Sequence, residues 1–476
     1  MTRKVCALTL LVTSLAAGYG LTAEPARRPP NIVLILADDL GYGDLGCYGQ
    51  KLIRTPNLDR MAVEGMRFTQ CYAGSTVCAP SRCALMTGLH TGHCRVRGNG
   101  GGGGPRANVA LRPEDTCVAD VLKKAGYATA LVGKWGLGEE GSTGVPTKKG
   151  FDHFFGYLNQ YHAHNYYTDF LIRGEGRFPI SDNLPHKTVD NVAERRATYT
   201  PDLLLKDALG FIEANKERPF FLYFATIVPH ANNERTRFDR NGNEVPTDEP
   251  YTNEPWPQPE KNKAAMITRL DRDVGTLLAK LNELGLDDNT VVFFSSDNGP
   301  HREGGNDPAF FQSSGPFRGI KRDLTEGGIR VPMIVRWPGR VKAGMVSDLI
   351  WAFWDFLPTA AEVAGAAAPG GLDGVSVLPT LTGQGSQRPR EFLYWEFHEQ
   401  GSKQAVRMGN WKAIRSAPGA RLAIYDLKAD PGEANDIAAR HREIVAQVET
   451  YLDSARTESP QWPLRAAPAR GKAKGK

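Results

Sequence analysis

Four stretches of this chain have the continuous apolar, β-branched or aromatic character of strands covered on both faces, and each ends on a residue able to do chemistry. Residues 31–37 run into Asp38-Asp39, 127–133 into Lys134, 219–228 into Pro229-His230, and 290–296 into Asp297-Asn298-Gly299. Helical periodicity fills the intervals, at 56–64, 111–126, 200–215 and 264–284. Strand and helix in alternation predict an α/β fold on a mostly parallel sheet, and such sheets bind ligands outside the carboxyl ends of their strands. A surface accident explains one such strand end better than it explains four.

Adjacent carboxylates at the end of a buried strand repel each other unless a cation lies between them, which favours a hard metal ion at Asp38-Asp39. The alternative is a pair of solvated loop acids. In the stretch 78–88, Cys-Ala-Pro-Ser-Arg-Cys-Ala-Leu-Met-Thr-Gly, Pro80 fits a first helical turn, Ser81 can cap, and 82–87 read as helix. Cys78 then sits where free backbone N–H groups collect, a place for an anion, or is a buried cysteine before a helix. The glycine run ending at Gly104 lacks the Gly-Lys-Ser/Thr start of a phosphate-binding helix and reads as a surface loop. Residues 135–190 are irregular and rich in glycine, aromatics and histidine, which suits a pocket wall; His162 and His164 read equally well as surface histidines.

A further strand is expected at 333–337 and a helix at 351–364, closing a catalytic domain over 30–368. Glycine-rich boundaries then set off a smaller α+β subdomain at 384–460, with strands at 392–395, 405–407 and 412–414 and a helix near 443–454.

Arg3 and Lys4 precede an apolar run to about Ala17, and Leu21-Thr22-Ala23 offers a cleavage site, so residues 1–23 read as a secretory signal peptide. No later stretch approaches the ~20 apolar residues of a membrane span. The expectation is an exported protein, periplasmic or secreted. The net charge of +5 comes from the ends: two cations lie in residues 1–23 and five follow Trp462, neither segment holding an acid, which leaves the body slightly acidic. That argues against a nucleic-acid face and for a basic, disordered tail at 463–476. Cys6 leaves with the signal, and the sparse remainder, Cys47, Cys71, Cys78, Cys83, Cys94 and Cys117, has neither zinc spacing nor the density of a disulfide scaffold.

Taken together, Asp38-Asp39-Leu40-Gly41, Cys78-Ala79-Pro80-Ser81-Arg82, Gly133-Lys134-Trp135, Pro229-His230, Asp297-Asn298-Gly299 and Lys321 before Glu326-Gly327-Gly328 resemble the formylglycine-dependent sulfatases. The closing Tyr425-Asp426-Leu427 and Asp430-Pro431-Gly432-Glu433 are similar to that family's C-terminal end. The resemblance runs from Asn31 to about Leu452. It implies an alkaline-phosphatase-like α/β sandwich, with Asp38, Asp39, Asp297 and Asn298 binding Ca2+. Cys78 would be oxidised to formylglycine by a maturation enzyme, and its hydrate would attack sulfur and then expel sulfate by elimination. Arg82 would hold the hydrate and the metal ligands, Lys134 and Lys321 would neutralise sulfate oxygens, and His230 would protonate the departing oxygen.

One position departs from the family. Where Lys-Trp-His is frequent, this chain has Lys134-Trp135-Gly136, so His164, His162 or His301 would have to replace the missing histidine, or the second step slows. The loop 156–169, the run His301-Arg302-Glu303 and Trp395-Glu396-Phe397-His398 are expected to line a pocket for a sulfated sugar, with His164, His301 and His398 as substrate contacts. The resulting expectation is a sulfatase of sulfated carbohydrates that also cleaves activated aryl sulfates. A phosphonate or phosphodiester hydrolase on the same scaffold and a non-catalytic sulfated-glycan binding protein are the alternatives.

Overall fold

The computed structural model describes residues 28–100, 109–183, 191–399 and 401–466, with Thr2 alone before them. The signal-peptide reading, the glycine run beyond Gly100 and most of the basic tail lie outside these residues.

The strands are β1 Asn31–Ala37, β2 Met66–Tyr72, β3 Ala128–Lys134, β4 His153–Tyr157, β5 Phe170–Arg173, β6 Gly176–Pro179, β7 Phe220–Ala225, β8 Thr290–Ser296, β9 Arg330–Arg336, β10 Met345–Ser347 and β11 Trp351–Ala352. They form one sheet in the order β10-β2-β9-β8-β1-β7-β3-β4-β5-β6, with β11 also on β2. The run β8-β1-β7-β3-β4 is parallel throughout, and β1 lies between β7 and β8. Both faces of β1 are covered, because successive side chains point to opposite sides. Ile32, Leu34 and Leu36 join one apolar layer, with Leu122 and Leu357 from helices Val118–Lys124 and Phe356–Val363. Val33, Ile35 and Ala37 join the other, with Leu204 and Leu270 from helices Thr200–Ala214 and Gln258–Glu283. Burial on both faces is why these strands read as unbroken apolar runs rather than alternating ones.

A second, antiparallel sheet follows in the order β12 Leu393–Phe397, β13 Lys403–Met408, β14 Trp411–Arg415, β15 Leu422–Asp426. One face packs on helix Arg442–Ser454 through Val448 and Tyr451. The other sends Leu393, Trp395 and Phe397 against Tyr72, Val77, Ala84 and Trp354 of the large sheet's layers. The α/β expectation and the small second sheet are both met.

Several expected elements differ. The helix expected at 111–126 spans only Val118–Lys124, because Cys117 N–H donates to Asp120 Oδ2 (2.9 Å) and so starts the helix there. The long helix begins at Gln258, six residues ahead of 264, with Pro259 in its first turn. The helix expected at 351–364 is a strand, a 3-10 turn and then Phe356–Val363. The segment 135–190 is less irregular than its composition suggests: β4 extends the parallel run, and β5 and β6 add antiparallel edge strands. Among the described residues no helix is long and apolar enough to cross a membrane.

Candidate active site

Backbone N–H groups clip the strand ends together, two of them to backbone carbonyls and one to the Asp297 carboxylate. Asp38 N–H donates to Val228 O (3.1 Å), Asp297 N–H to Ala37 O (3.1 Å), and Asp39 N–H to Asp297 Oδ1 (3.0 Å). Asp39 adopts a left-handed backbone, φ 64°, unusual for a residue with a Cβ and typical of strain held at functional sites. Gly133 has φ 121°, and a Cβ there would lie 1.9 Å from Ala225 O, so only glycine lets β3 approach β7 closely enough to deliver Lys134.

Cys78 is the first residue of helix Cys78–Thr87, which starts earlier than expected, directly after Val77. Ser81 does not cap it; its Oγ accepts from Gly74 N–H (3.1 Å). One first-turn N–H, from Ala79, is taken by Asn99 Oδ1 (3.0 Å). Cys78 is buried, and its Sγ–H donates to Asp38 Oδ1 (3.6 Å). Burial pushes this thiol well above its usual range, against the opposing pull of Lys134.

Cations surround the carboxylates. Lys134 Nζ is 2.6 Å from Asp38 Oδ2, and Lys321 Nζ is 2.8 Å from both Asp39 Oδ2 and Glu303 Oε2. Arg82 places Nε and Nη2 on Asp297 Oδ2 (3.1 and 2.9 Å) and Nη1 on Lys134 O (2.7 Å), tying the helix to two strand ends at once. Burial would raise the Asp39 carboxyl, yet Lys321, His230 and His301 hold it well below the usual range. Asp297 goes the other way: burial and Asp38 push it up to about 7, against Arg82. Burial disfavours the ammonium of Lys134 and of Lys321, but the carboxylates each contacts keep both above the ordinary range.

The histidines form a stack. His230 Nδ1–H donates to Ala231 O (2.6 Å), which leaves Nε2 to accept from Lys321 Nζ (3.1 Å). His164 stacks on His230 at 4.7 Å and His301 does so at 5.8 Å. His301 Nδ1 accepts from Glu303 N–H (3.0 Å), and burial and Lys263 lower it to about 4.

Asp38, Asp39, Cys78 and His230 bring their ligand atoms within 4.8 Å of one another. Comparison with known proteins identifies the family to which this grouping belongs. A sulfatase family profile matches residues 30–366, and a profile for the N-sulphoglucosamine sulphohydrolase C-terminal region matches 319–458.

The chain belongs to the sulfatase family.

Human arylsulfatase A is 35% identical over 470 residues, covering 89% of this chain and 85% of the relative. N-acetylgalactosamine-6-sulfatase of Canis lupus familiaris is 35% identical over 433 residues, covering 85% of this chain and 74% of the relative. The crystal structure of Ps i-CgsB in complex with k-i-k-neocarrahexaose superposes with a TM-score of 0.77 at 28% identity, over 92% of this chain and 95% of that one. The protein is accordingly a sulfuric ester hydrolase with the alkaline-phosphatase-like fold of that family.

Within this sulfatase, Cys78, Arg82, Lys134, His230, Lys321, Asp38, Asp39, Asp297 and Asn298 are gathered at the strand ends, and His164 and His301 stand beside them. His398 does not join them. Its Nε2 pairs with Glu396 Oε1 (2.9 Å) and its Nδ1 with Ser402 Oγ (3.0 Å), inside the seam to the small sheet. His162 also turns away, bonding Thr168 Oγ1 (2.7 Å) and stacking on Phe170. Two members of the site were not singled out in the sequence. Lys263 Nζ donates to Pro229 O (3.1 Å) and lies 3.0 Å from His301 Nε2, but it falls just outside the helix as read from 264. Gln160 holds the space a side chain at Gly136 would need, and the departure at Gly136 was the signal that something must stand there.

Proposed function

We propose that this sulfatase is an exported enzyme hydrolysing sulfate monoesters of carbohydrates, with formylglycine derived from Cys78 as nucleophile and Ca2+ bound by Asp38, Asp39, Asp297 and Asn298. The observation that carries the reading is Cys78 donating to one aspartate of a buried carboxylate cluster whose other edges are held by Lys134 and Lys321. A thiol held as a donor to a carboxylate is poorly placed to act as a thiolate, which suits a cysteine that is converted before use.

The residues fit a hard divalent ion. Three buried carboxylates converge, and Asn298 Oδ1 is buried without a hydrogen-bond partner among the described residues. All-oxygen donors of this kind suit calcium rather than a soft transition metal. When present, the ion and the aldehyde hydrate would supply an activated oxygen nucleophile and a second hydroxyl for release of sulfate.

The chain's own groups do the rest. The Lys134 and Lys321 ammoniums neutralise sulfate oxygens as charge moves onto them. Arg82, through its fork on Asp297 and its bond to the Lys134 carbonyl, fixes the distance between helix and strand ends. Ala231 O holds His230 Nδ1, which turns Nε2 toward the site, where it accepts from the Lys321 ammonium and can take up that proton and pass it to the departing alkoxide. Relatives named as N-acetylgalactosamine-6-sulfatases, and a solved homologue holding k-i-k-neocarrahexaose, support a carbohydrate substrate.

The test is the mass of the Cys78 peptide from protein made in its native host, paired with an assay of sulfated sugars, nitrophenyl sulfate and bis-nitrophenyl phosphate. Conversion lowers the peptide by about 18 Da, or leaves its mass unchanged but reactive to aldehyde labels if hydrated. An unmodified thiol, or preference for the phosphodiester, would overturn the reading.

A further inference from the structure

We propose that Gln160 is a specificity-determining residue, hydrogen-bonding a hydroxyl of the sugar ring that bears the scissile sulfate, from the space that Gly136 leaves open. The inference rests on the carbohydrate reading above and deepens it.

Gly136 has φ 84°, and a Cβ built on it would lie 1.7 Å from Gln160 Nε2. The glutamine amide therefore stands where any other residue at 136 would project. Trp135 and Gly136 N–H donate to Tyr157 O and Leu158 O (both 2.9 Å), so the β3–β4 pairing continues past Lys134. Gly136 and Gln160 are thus held at the same sheet end as the nucleophile and the first lysine. Yet both Nε2 and Oε1 of Gln160 are buried without a hydrogen-bond partner among the described residues. A primary amide offers two donors and an acceptor, and burying them unpaired costs free energy. Such a group is retained where a ligand completes it.

Gln160 lines a cavity of about 180 Å³ whose wall also includes Ala79, the neighbour of Cys78, together with Gly136, Glu139, Asn159 and Tyr161, with the buried amide just behind that wall. Asn159 already has partners, donating to Glu139 Oε2 (3.2 Å) and accepting from His162 N–H (2.8 Å). Gln160 does not. Among the described residues no lysine, arginine or histidine lines the cavity, and Glu139 would repel an anion, so a second sulfate is excluded. A neutral hydroxyl, donor and acceptor together, matches the amide.

The test compares wild type, Gln160→Ala and Gln160→Glu, full-length and carrying the Cys78 modification. Each is assayed on nitrophenyl sulfate, on the monosulfated hexose that wild type hydrolyses fastest, and on deoxy analogues of that hexose. The expected result is a fall of about tenfold or more in the kcat/KM ratio of hexose over nitrophenyl sulfate for Gln160→Ala, with a smaller fall for Gln160→Glu. One deoxy analogue should show the low ratio already in wild type and lose nothing further in Gln160→Ala. A ratio within about twofold of wild type, through no change or through equal loss on both substrates, overturns the inference and leaves the carbohydrate reading standing. Wild type that cleaves nitrophenyl sulfate but no sulfated hexose overturns both.

Discussion

The rings of His164 and His230 lie nearly parallel, 16° apart in plane with centroids 4.7 Å apart, and Glu234 Oε2 anchors His164 Nδ1 at 2.8 Å. One histidine therefore sets the face against which the other rests, across two loops far apart in sequence. Since His230 Nδ1 is fixed by Ala231 O, the remaining freedom of its ring is what His164 restricts. His164→Ala is expected to lower kcat about 10²-fold, the low end for disturbing a positioned proton-transfer group. The side chain is 15% exposed, so the chain should still fold. Steady-state kinetics on nitrophenyl sulfate beside a melting curve check this, and unchanged turnover would remove His164 from the site.

Arg82 argues from geometry rather than charge alone. Two of its nitrogens share Asp297 Oδ2 while a third reaches Lys134 O, which a lysine ammonium cannot reproduce from one point. Arg82→Lys should therefore be nearly inactive although its charge is kept. Arg82→Ala should also lose about 3–5 kcal/mol of stability, since it strands buried Asp297 among like charges. Urea unfolding separates the two effects; a fully active Arg82→Lys would show that charge suffices.

Removing the proposed ion has a defined signature. Asp38, Asp39 and Asp297 are fully buried and close together, so a divalent cation binding only the folded chain should raise its stability by about 2.7 kcal/mol at a hundred times its Kd. The expected observation is a melting temperature that climbs with added Ca2+ and falls with a chelator, activity following it. Insensitivity of both to chelator would argue against a metal at these oxygens.

How much of this was legible depends on what fixes each residue. The ends of β1, β3, β7 and β8 could be read because full burial of a central strand forces an apolar run, and the first polar residue after it marks where the sheet opens. The start of the Cys78 helix could not, since Val77 and the packing of Ala84 set it, not the capping potential of Ser81. Glu303 was expected in a pocket wall but not as a partner of Lys321, and Gln160 was expected only as one residue of the loop 156–169, not as the group facing Gly136. Both sit on loops whose course depends on strand pairings many residues away, β4 beside β3 in one case, which local pattern does not encode. His398 was misjudged because an aromatic, polar stretch reads alike as pocket or as seam.

That seam yields a pH prediction. Glu396 is fully buried and bonded by Arg97, Arg456, His398 and Tyr394. Burial would raise its carboxyl, but His398, Arg97 and Arg456 lower it from 4.5 to about 2. A depressed carboxylate adds stability that is complete above the unfolded value and lost as pH falls through the folded one. Glu396→Gln should thus cost about 3 kcal/mol at pH 7, and the gap to wild type should shrink as pH drops below about 4.5. Urea midpoints from pH 7 to pH 3 measure it; a gap independent of pH would mean the pairing does not carry the stability.

Cys78→Ser isolates what the cysteine is for. Serine keeps the position at the first turn of the helix and a hydroxyl near Asp38, but it cannot be converted to an aldehyde and has no second hydroxyl on its carbon. Lys134, Lys321 and His230 remain to assist a single attack on sulfur. If attack and release need different hydroxyls, the variant should accept sulfate once and stop. A burst of no more than one nitrophenol per chain is expected, and the serine peptide should gain about 80 Da. Continued turnover at the wild-type rate would show that the second hydroxyl is dispensable. No burst and no added mass would mean that serine is not activated there, and that the geometry serves the hydrate alone.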